Sequence, residues 1–185
     1  MAKISMRVIA ATLAVATVTT AGGLGIRHST AATTVPSMCA KNEEVVFGCA
    51  QGAKLISLCA TATPNGPTKL RYVYGAKGKP ELEITDPAAF SAGITGLSGG
   101  GIDFVRVKTA DFAYVVYTGE SPGWSQDGWV IEHNGAPISH HVCKRGATGP
   151  DVWGPVYAAK LPQAPDDQAF NPPGWTGAKP SKHGR

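Results

Sequence analysis

From Glu44 onward, apolar and polar residues alternate in short runs separated by glycine, proline, asparagine and aspartate, which is the pattern of half-buried strands joined by turns. Glu44 to Ala50 and Lys54 to Ala60 form a first hairpin around Gln51 and Gly52. Leu70, Tyr72 and Tyr74 alternate with Arg71 and Val73. After Gly75 to Gly78, Leu82 and Ile84 alternate with Glu81 and Glu83, which gives a second hairpin. Asp86 before Pro87 supplies an N-cap and a first-turn proline, enough for a short helical turn through Phe90.

A glycine-rich loop, Gly93 to Gly101, leads into a third hairpin, Ile102 to Lys108 and Phe112 to Thr118, turning at Ala110 and Asp111. In the last hairpin Trp129 to His133 and Ala136 to Cys143 flank Asn134-Gly135, the dipeptide that supplies two positive-φ residues for a type I′ turn. Counting outward from it sets Ile131 opposite Ile138 and Trp129 opposite His140. Consecutive hairpins of this kind predict an all-β fold, an antiparallel sandwich or small barrel of about eight strands, because face-to-face packing or closure buries one side of each strand. Past Cys143 the alternation stops. Pro150 to Lys160 has room for a short helix or a packed loop, and residues 161–185 read as a flexible Pro/Gly-rich tail.

Ahead of the strands, Lys3 and Arg7 precede an uncharged run, Val8 to Ala21, the n-region and h-region of a secretory leader. Small residues at Thr19 and Ala21 allow one cleavage site and the stretch Ser29 to Ala32 a second; the second is favoured, which makes residues 1–32 a signal peptide and residues 33–160 one β domain. The three glycines at 22, 23 and 25 argue against a permanent membrane anchor. The leader also carries much of the charge. Of 17 basic and 13 acidic residues, 14 and 13 remain without it, and the basic groups at 179, 182 and 185 fall in the tail. A nucleic-acid binder concentrates basic charge on its folded surface. This body does not, so nucleic acid is excluded as a partner, and no membrane contact is expected once the leader is gone.

Four cysteines behind a leader predict disulfides and a periplasmic or secreted protein. Spacings of ten residues between Cys39, Cys49 and Cys59 do not suit a zinc site, which favours close pairs. The first hairpin returns Cys59 to the start of its own first strand, near Cys39, and so leaves Cys49 for Cys143.

Candidate chemistry is sparse. Gly96-Leu97-Ser98-Gly99-Gly100 fits G-x-S-x-G, but a nucleophile elbow needs a strand before the serine and a helix after it, whereas glycines flank Ser98 on both sides. By the hairpin count His133 and His140 share a face and His141 points the other way; that face has no acid or cysteine at metal-ligand spacing, which leaves His140 packed on Trp129 and His133 facing solvent. Glu81 and Glu83 are neighbours on one strand face, not carboxylates opposed across a cleft as glycoside cleavage requires. The stretch Gly119 to Gly128 reads as a second loop, presenting Trp124 and Asp127; exposed tryptophan on a loop stacks on sugars or anchors interfaces. No cofactor or metal is called for.

Phe47-Gly48-Cys49, Lys54 with Ser57-Leu58-Cys59-Ala60, Tyr72 with Tyr74-Gly75, Gly99-Gly100-Gly101 and Tyr114-Val115-Val116-Tyr117-Thr118, followed by Cys143, resemble in their order a set of exported disulfide-containing proteins of Gram-negative bacteria with no assigned activity. That resemblance implies an exported β domain. A looser similarity is to the periplasmic lysozyme inhibitors, whose Ser-Gly-x-x-Tyr loop enters the lysozyme cleft; the corresponding stretch here, Ser98-Gly99-Gly100-Gly101-Ile102, has isoleucine in place of tyrosine. The function expected from these observations is a non-enzymatic exported binding protein, in one form an inhibitor of a cell-wall hydrolase such as lysozyme. Ser98, Gly99, Gly100, Trp124 and Asp127 are its expected contacts, and its partner is a periplasmic protein or cell-wall glycan. The alternatives are a small serine hydrolase using Ser98 with His140 or His141, and a glycan-binding module using Trp124.

Overall fold

The computed structural model describes residues 35–96, 99–144, 147–148, 153–164 and 170–173. These form two antiparallel sheets packed as a sandwich. The first holds β1 (Glu44–Gln51), β2 (Lys54–Thr61), β3 (Lys69–Ala76) and β4 (Lys79–Ile84) in chain order. The second holds β5 (Phe90–Thr95), β6 (Gly101–Thr109), β7 (Phe112–Ser121), β8 (Trp124–His133) and β9 (Ala136–Val142), again in chain order. The predicted cap is present: Asp86 accepts from the Ala88 N–H at the head of a 3-10 turn, Pro87–Ala89. One short helix, α1 (Trp153–Ala158), follows the sheets.

A ninth strand joins the expected eight or so because β5 runs from the end of the expected helical turn into the start of the expected glycine loop. Phe90, Ala92 and Ile94 alternate there, with Phe90 and Ala92 buried, and β5 pairs with β6 from Phe90↔Val107 to Thr95↔Ile102. The expected glycine loop is therefore strand at both ends, up to Thr95 in β5 and from Gly101 in β6. The second expected loop, Gly119 to Gly128, is also mostly ladder: β7 runs to Ser121, Pro122 and Gly123 make the turn with Gly123 at φ +81°, and β8 begins at Trp124. The first hairpin turns at Gly52 and Ala53, one residue later than expected, with Gly52 at φ +56°.

The main core lies between the sheets. Ile56, Leu58, Leu70, Tyr72 and Ile84 of the first sheet meet Phe90, Val105, Val107, Val116 and Trp129 of the second. A second core lies on the far face of the five-stranded sheet, where Ile102, Phe104, Val115, Tyr117 and Val130 are covered by Phe170. The Phe170 ring centroid sits 5.6 Å from that of Phe104 and 5.3 Å from that of Tyr117. Where it is described, the segment expected to be a free tail is therefore docked. Ala92 donates to Pro162 O, and Ala164 donates back to Ala92 O, which occupies the free edge of β5. The edge of β1 is met in the same way, by the Gly48 N–H donating to Ala147 O. Open strand edges template unwanted pairing, and short crossing segments of this kind block it.

The disulfides join Cys39 to Cys59 and Cys49 to Cys143, the pairing implied by the first hairpin. The first pins residues 35–39 across the outer face of the four-stranded sheet, where the Met38 N–H donates to the buried Ser57 hydroxyl. Gly48 lies beneath this crossing; a Cβ there would come within 2.5 Å of Pro36 O. The second ties β1 to the segment after β9.

Candidate functional site

The two glycine-containing turns expected to make contacts come together at one end of the five-stranded sheet. Gly99 and Gly100 line the same open depression, about 630 Å³, as Glu120 to Ser125, including Trp124. Gly100 is pressed so closely on the end of β7 that a Cβ would fall 2.4 Å from Glu120 O and 2.5 Å from Ser121 Cβ. Gly96 is packed on the backbone of Gly100 and Gly101 at 2.6 Å by the same measure. Backbone approach this close leaves no room for a side chain at either glycine, and it sets Gly100 directly against the β7–β8 turn. Trp124 is half-buried. Its ring lies over Gly119 and packs against the second core, where it extends the apolar patch on that face. Asp127 stands apart from the depression. It pairs with Thr118 in the ladder and its carbonyl accepts from the Cys143 N–H. Ser98 lies outside the described residues.

The histidines sit differently from the hairpin count. A bulge between Ile131 and Glu132 places Ile131 opposite Ser139 and Trp129 opposite His141. Pro137, opposite Glu132, has no N–H for the ladder, and bulges are where sheets tolerate proline. His141, not His140, therefore stacks on Trp129, with centroids 4.4 Å apart. Its Nδ1 is 2.6 Å from Gln51 Nε2 and its Nε2 is 2.8 Å from Ser139 Oγ. His140 faces the other side, its Nε2 2.7 Å from the Tyr117 hydroxyl, which Gln126 also meets. Burial lowers the His140 pKa, with the neighbouring His141 adding to the effect, and burial pushes the Tyr117 phenol up to about 12. A serine–histidine pair thus exists at Ser139 and His141, but an amide, Gln51, occupies the place where a carboxylate would raise the basicity of the ring. His133 stacks on Phe112 at 4.7 Å.

Glu81 pairs with Lys54, and Glu83 lies 3.5 Å from Arg71, so neither carboxylate faces a second acid across a cleft. Arg71 also clasps Glu43 through two bonds, Nε to Oε1 at 2.8 Å and Nη2 to Oε2 at 2.5 Å. Those hydrogen bonds hold the Glu43 carboxyl below its ordinary pKa. Cys39, Glu43 and Cys59 gather within reach of one ion, but both sulfurs are consumed in the disulfide and the carboxylate by Arg71.

A second concavity, absent from the sequence reading, opens between the sheets. It holds about 350 Å³ and is walled by Tyr72 and Tyr74 of β3, Leu82 of β4, Tyr114 of β7 and Trp129 and Ile131 of β8, with Glu81 also lining it. Tyr72 and Tyr114 stack across the interface at 5.3 Å, and Tyr74 meets Trp129 at 6.3 Å. The alternation of Tyr72 with Tyr74 was visible in the sequence; that both would face Tyr114 and Trp129 was not.

The chain matches no protein-family model, no curated protein and no solved structure. The broad setting comes from the fold itself. Two disulfides indicate an oxidising, non-cytoplasmic compartment, and among the described residues no helix is long and apolar enough to cross a membrane.

Proposed function

We propose that this chain is a non-enzymatic binding protein of the periplasm or extracellular medium that engages a protein partner, such as a cell-wall hydrolase it inhibits, through the depression formed by Gly99, Gly100 and Glu120 to Ser125. The observation that carries this reading is the glycine-locked contact of Gly100 on Glu120 and Ser121. A surface already fixed in one shape loses little conformational freedom on binding, which is how small rigid inhibitors gain affinity. The engagement of His140 by Tyr117 and Gln126, and of His141 by Gln51 and Ser139, supports a scaffold role for both rings rather than general-base catalysis.

The test is inhibition of muramidases, amidases and endopeptidases by the oxidised protein, compared with a Ser125→Arg variant that places charge in the depression. Loss of hydrolase activity at stoichiometric protein, restored by Ser125→Arg, supports the reading. No inhibition of any of the three classes at micromolar protein overturns it. Labelling by a fluorophosphonate would replace it with a hydrolase, and tryptophan quenching by peptidoglycan fragments would replace it with a glycan module.

A further inference from the structure

A third concavity lies between α1 and the β5–β6 ladder. It holds about 120 Å³, and its lining includes Ile94 of β5, Asp103 of β6, Trp153, Val156 and Tyr157 of α1, and Lys160 just beyond the helix. The strand period puts Asp103 on the same face as Val105 and Val107, which share the main core with Val156. Asp103 therefore sits where that core ends, and it stays partly exposed, within reach of a ligand in the groove. Its ladder neighbours are Ile94 and Thr118, and the next residue of β7 on that face, Glu120, is a second carboxylate. Among the described residues the Asp103 carboxylate joins no ion pair and accepts no hydrogen bond. Burial, with the Glu120 charge adding to it, raises its pKa. A carboxylate half-withdrawn from water beside a like charge is unfavourable until a cation meets it. Lys160 does not meet it, since its side chain is exposed and forms no ion pair.

The geometry points to a cation pocket in this groove that receives the guanidinium of an arginine on a protein partner. Size comes from the volume, which falls below the range of about 300–1,000 Å³ for whole small-molecule ligands but admits the tip of a side chain. Positive charge answers Asp103 and Glu120. Flatness answers Trp153 and Tyr157, because a guanidinium is planar and weakly hydrated, stacks on aromatic rings and pairs a carboxylate through two N–H groups, whereas an ammonium is a compact, strongly hydrated point charge.

The lining also explains why the arginine belongs to a partner rather than to a free ligand. Ile94 and Tyr157 are 64% and 63% exposed, and they offer apolar contact around the charged anchor, the arrangement in which arginine contributes most to a protein interface.

N-acetyl-arginine amide presents the side chain alone, and N-acetyl-citrulline amide is its neutral isostere. Titration of the full, disulfide-bonded protein, followed by the NMR shift of the Trp153 indole N–H, should show the arginine compound binding roughly tenfold more tightly than the citrulline compound, the ratio expected from pairing a charge. It should also bind severalfold more tightly than N-acetyl-lysine amide. Asp103→Asn keeps the shape and removes the charge, so it should abolish the preference over citrulline, with far-UV circular dichroism confirming that the variant is folded. Tyr157→Ala, at an exposed position, should weaken arginine binding severalfold. Equal binding of the arginine and citrulline compounds, a preference that survives Asp103→Asn, unchanged binding by Tyr157→Ala, or a lysine compound that binds as tightly as arginine overturns the proposal. So does the absence of a saturable shift up to tens of millimolar arginine amide. The groove takes its probe whether or not the depression at the sheet end engages a hydrolase, so the two readings fail separately.

Discussion

Replacing Tyr72 by phenylalanine should make the unliganded protein more stable. The residue is fully buried, its ring is stacked on Tyr114 at 5.3 Å, and its hydroxyl has no hydrogen-bond partner among the described residues. Phenylalanine keeps the ring and the stack and removes only the oxygen. An unsatisfied buried hydroxyl costs about 1–3 kcal/mol of desolvation. Against this stands the small void left by one oxygen atom, worth a few tenths of a kcal/mol at roughly 24 cal/mol per Å³. The net gain is about 1–2 kcal/mol, and at roughly 2–4 °C per kcal/mol for a chain of this size the Tm should rise by about 2–8 °C. Guanidinium unfolding of the oxidised protein, with the m-value unchanged, measures the difference directly. A loss of 1 kcal/mol or more would mean that the hydroxyl already has a partner within the chain, and would refute the reasoning.

Further consequences can be measured on the same protein. Removing Cys49 and Cys143 together should cost about 4.7 kcal/mol from loop closure, and removing Cys39 and Cys59 about 3, because the closed segments span 94 and 20 residues; paired unfolding curves check the order. Glu132→Ala should destabilise by about 3 kcal/mol or more in chemical denaturation, since Glu132 forms a buried ion pair with Arg106, 3.1 Å at both contacts. The Glu43 carboxyl titrates below its ordinary value in the folded state, so its contribution is complete above the unfolded pKa of about 4.5 and is lost as pH falls through the lower folded value. Unfolding midpoints measured from pH 6 to pH 2.5 should therefore drop less steeply for Glu43→Gln. Gly100→Ala should cost about 1–3 kcal/mol by overpacking against Glu120 and Ser121 and should reduce hydrolase inhibition in the same assay.

Much of the local structure was legible in the sequence because turn residues act locally. Asn134 and Gly135 adopt φ +51° and +78°, Ala110 and Asp111 form the tight turn between β6 and β7, and Asp86 caps its 3-10 turn. β5 was hidden by the weak β-propensity of Ser91, Ala92 and Gly93, although Phe90, Ala92 and Ile94 carry the period-2 signal that could have revealed it. Gly119 and Gly128 read as loop residues, yet each is a strand position emptied for a neighbouring ring, Trp124 over Gly119 and Tyr117 over Gly128. The exchange of His140 for His141 turned on one bulge, since a shift of one residue moves every side chain beyond it to the other face.

The sequence by itself marked every strand but β5 and most of the tight turns and, through the short first hairpin, pointed to the cysteine pairing, because each depends on neighbours a few positions apart. Only the tertiary structure decided what the strand faces meet. It folded Phe170 back onto a second core, set Gly100 against Ser121, and brought Tyr72 and Trp129 into one cleft with their donors unpaired. The physical reason is that alternation says that a face is buried but not what covers it, and the depression at the sheet end is made where separate hairpins meet.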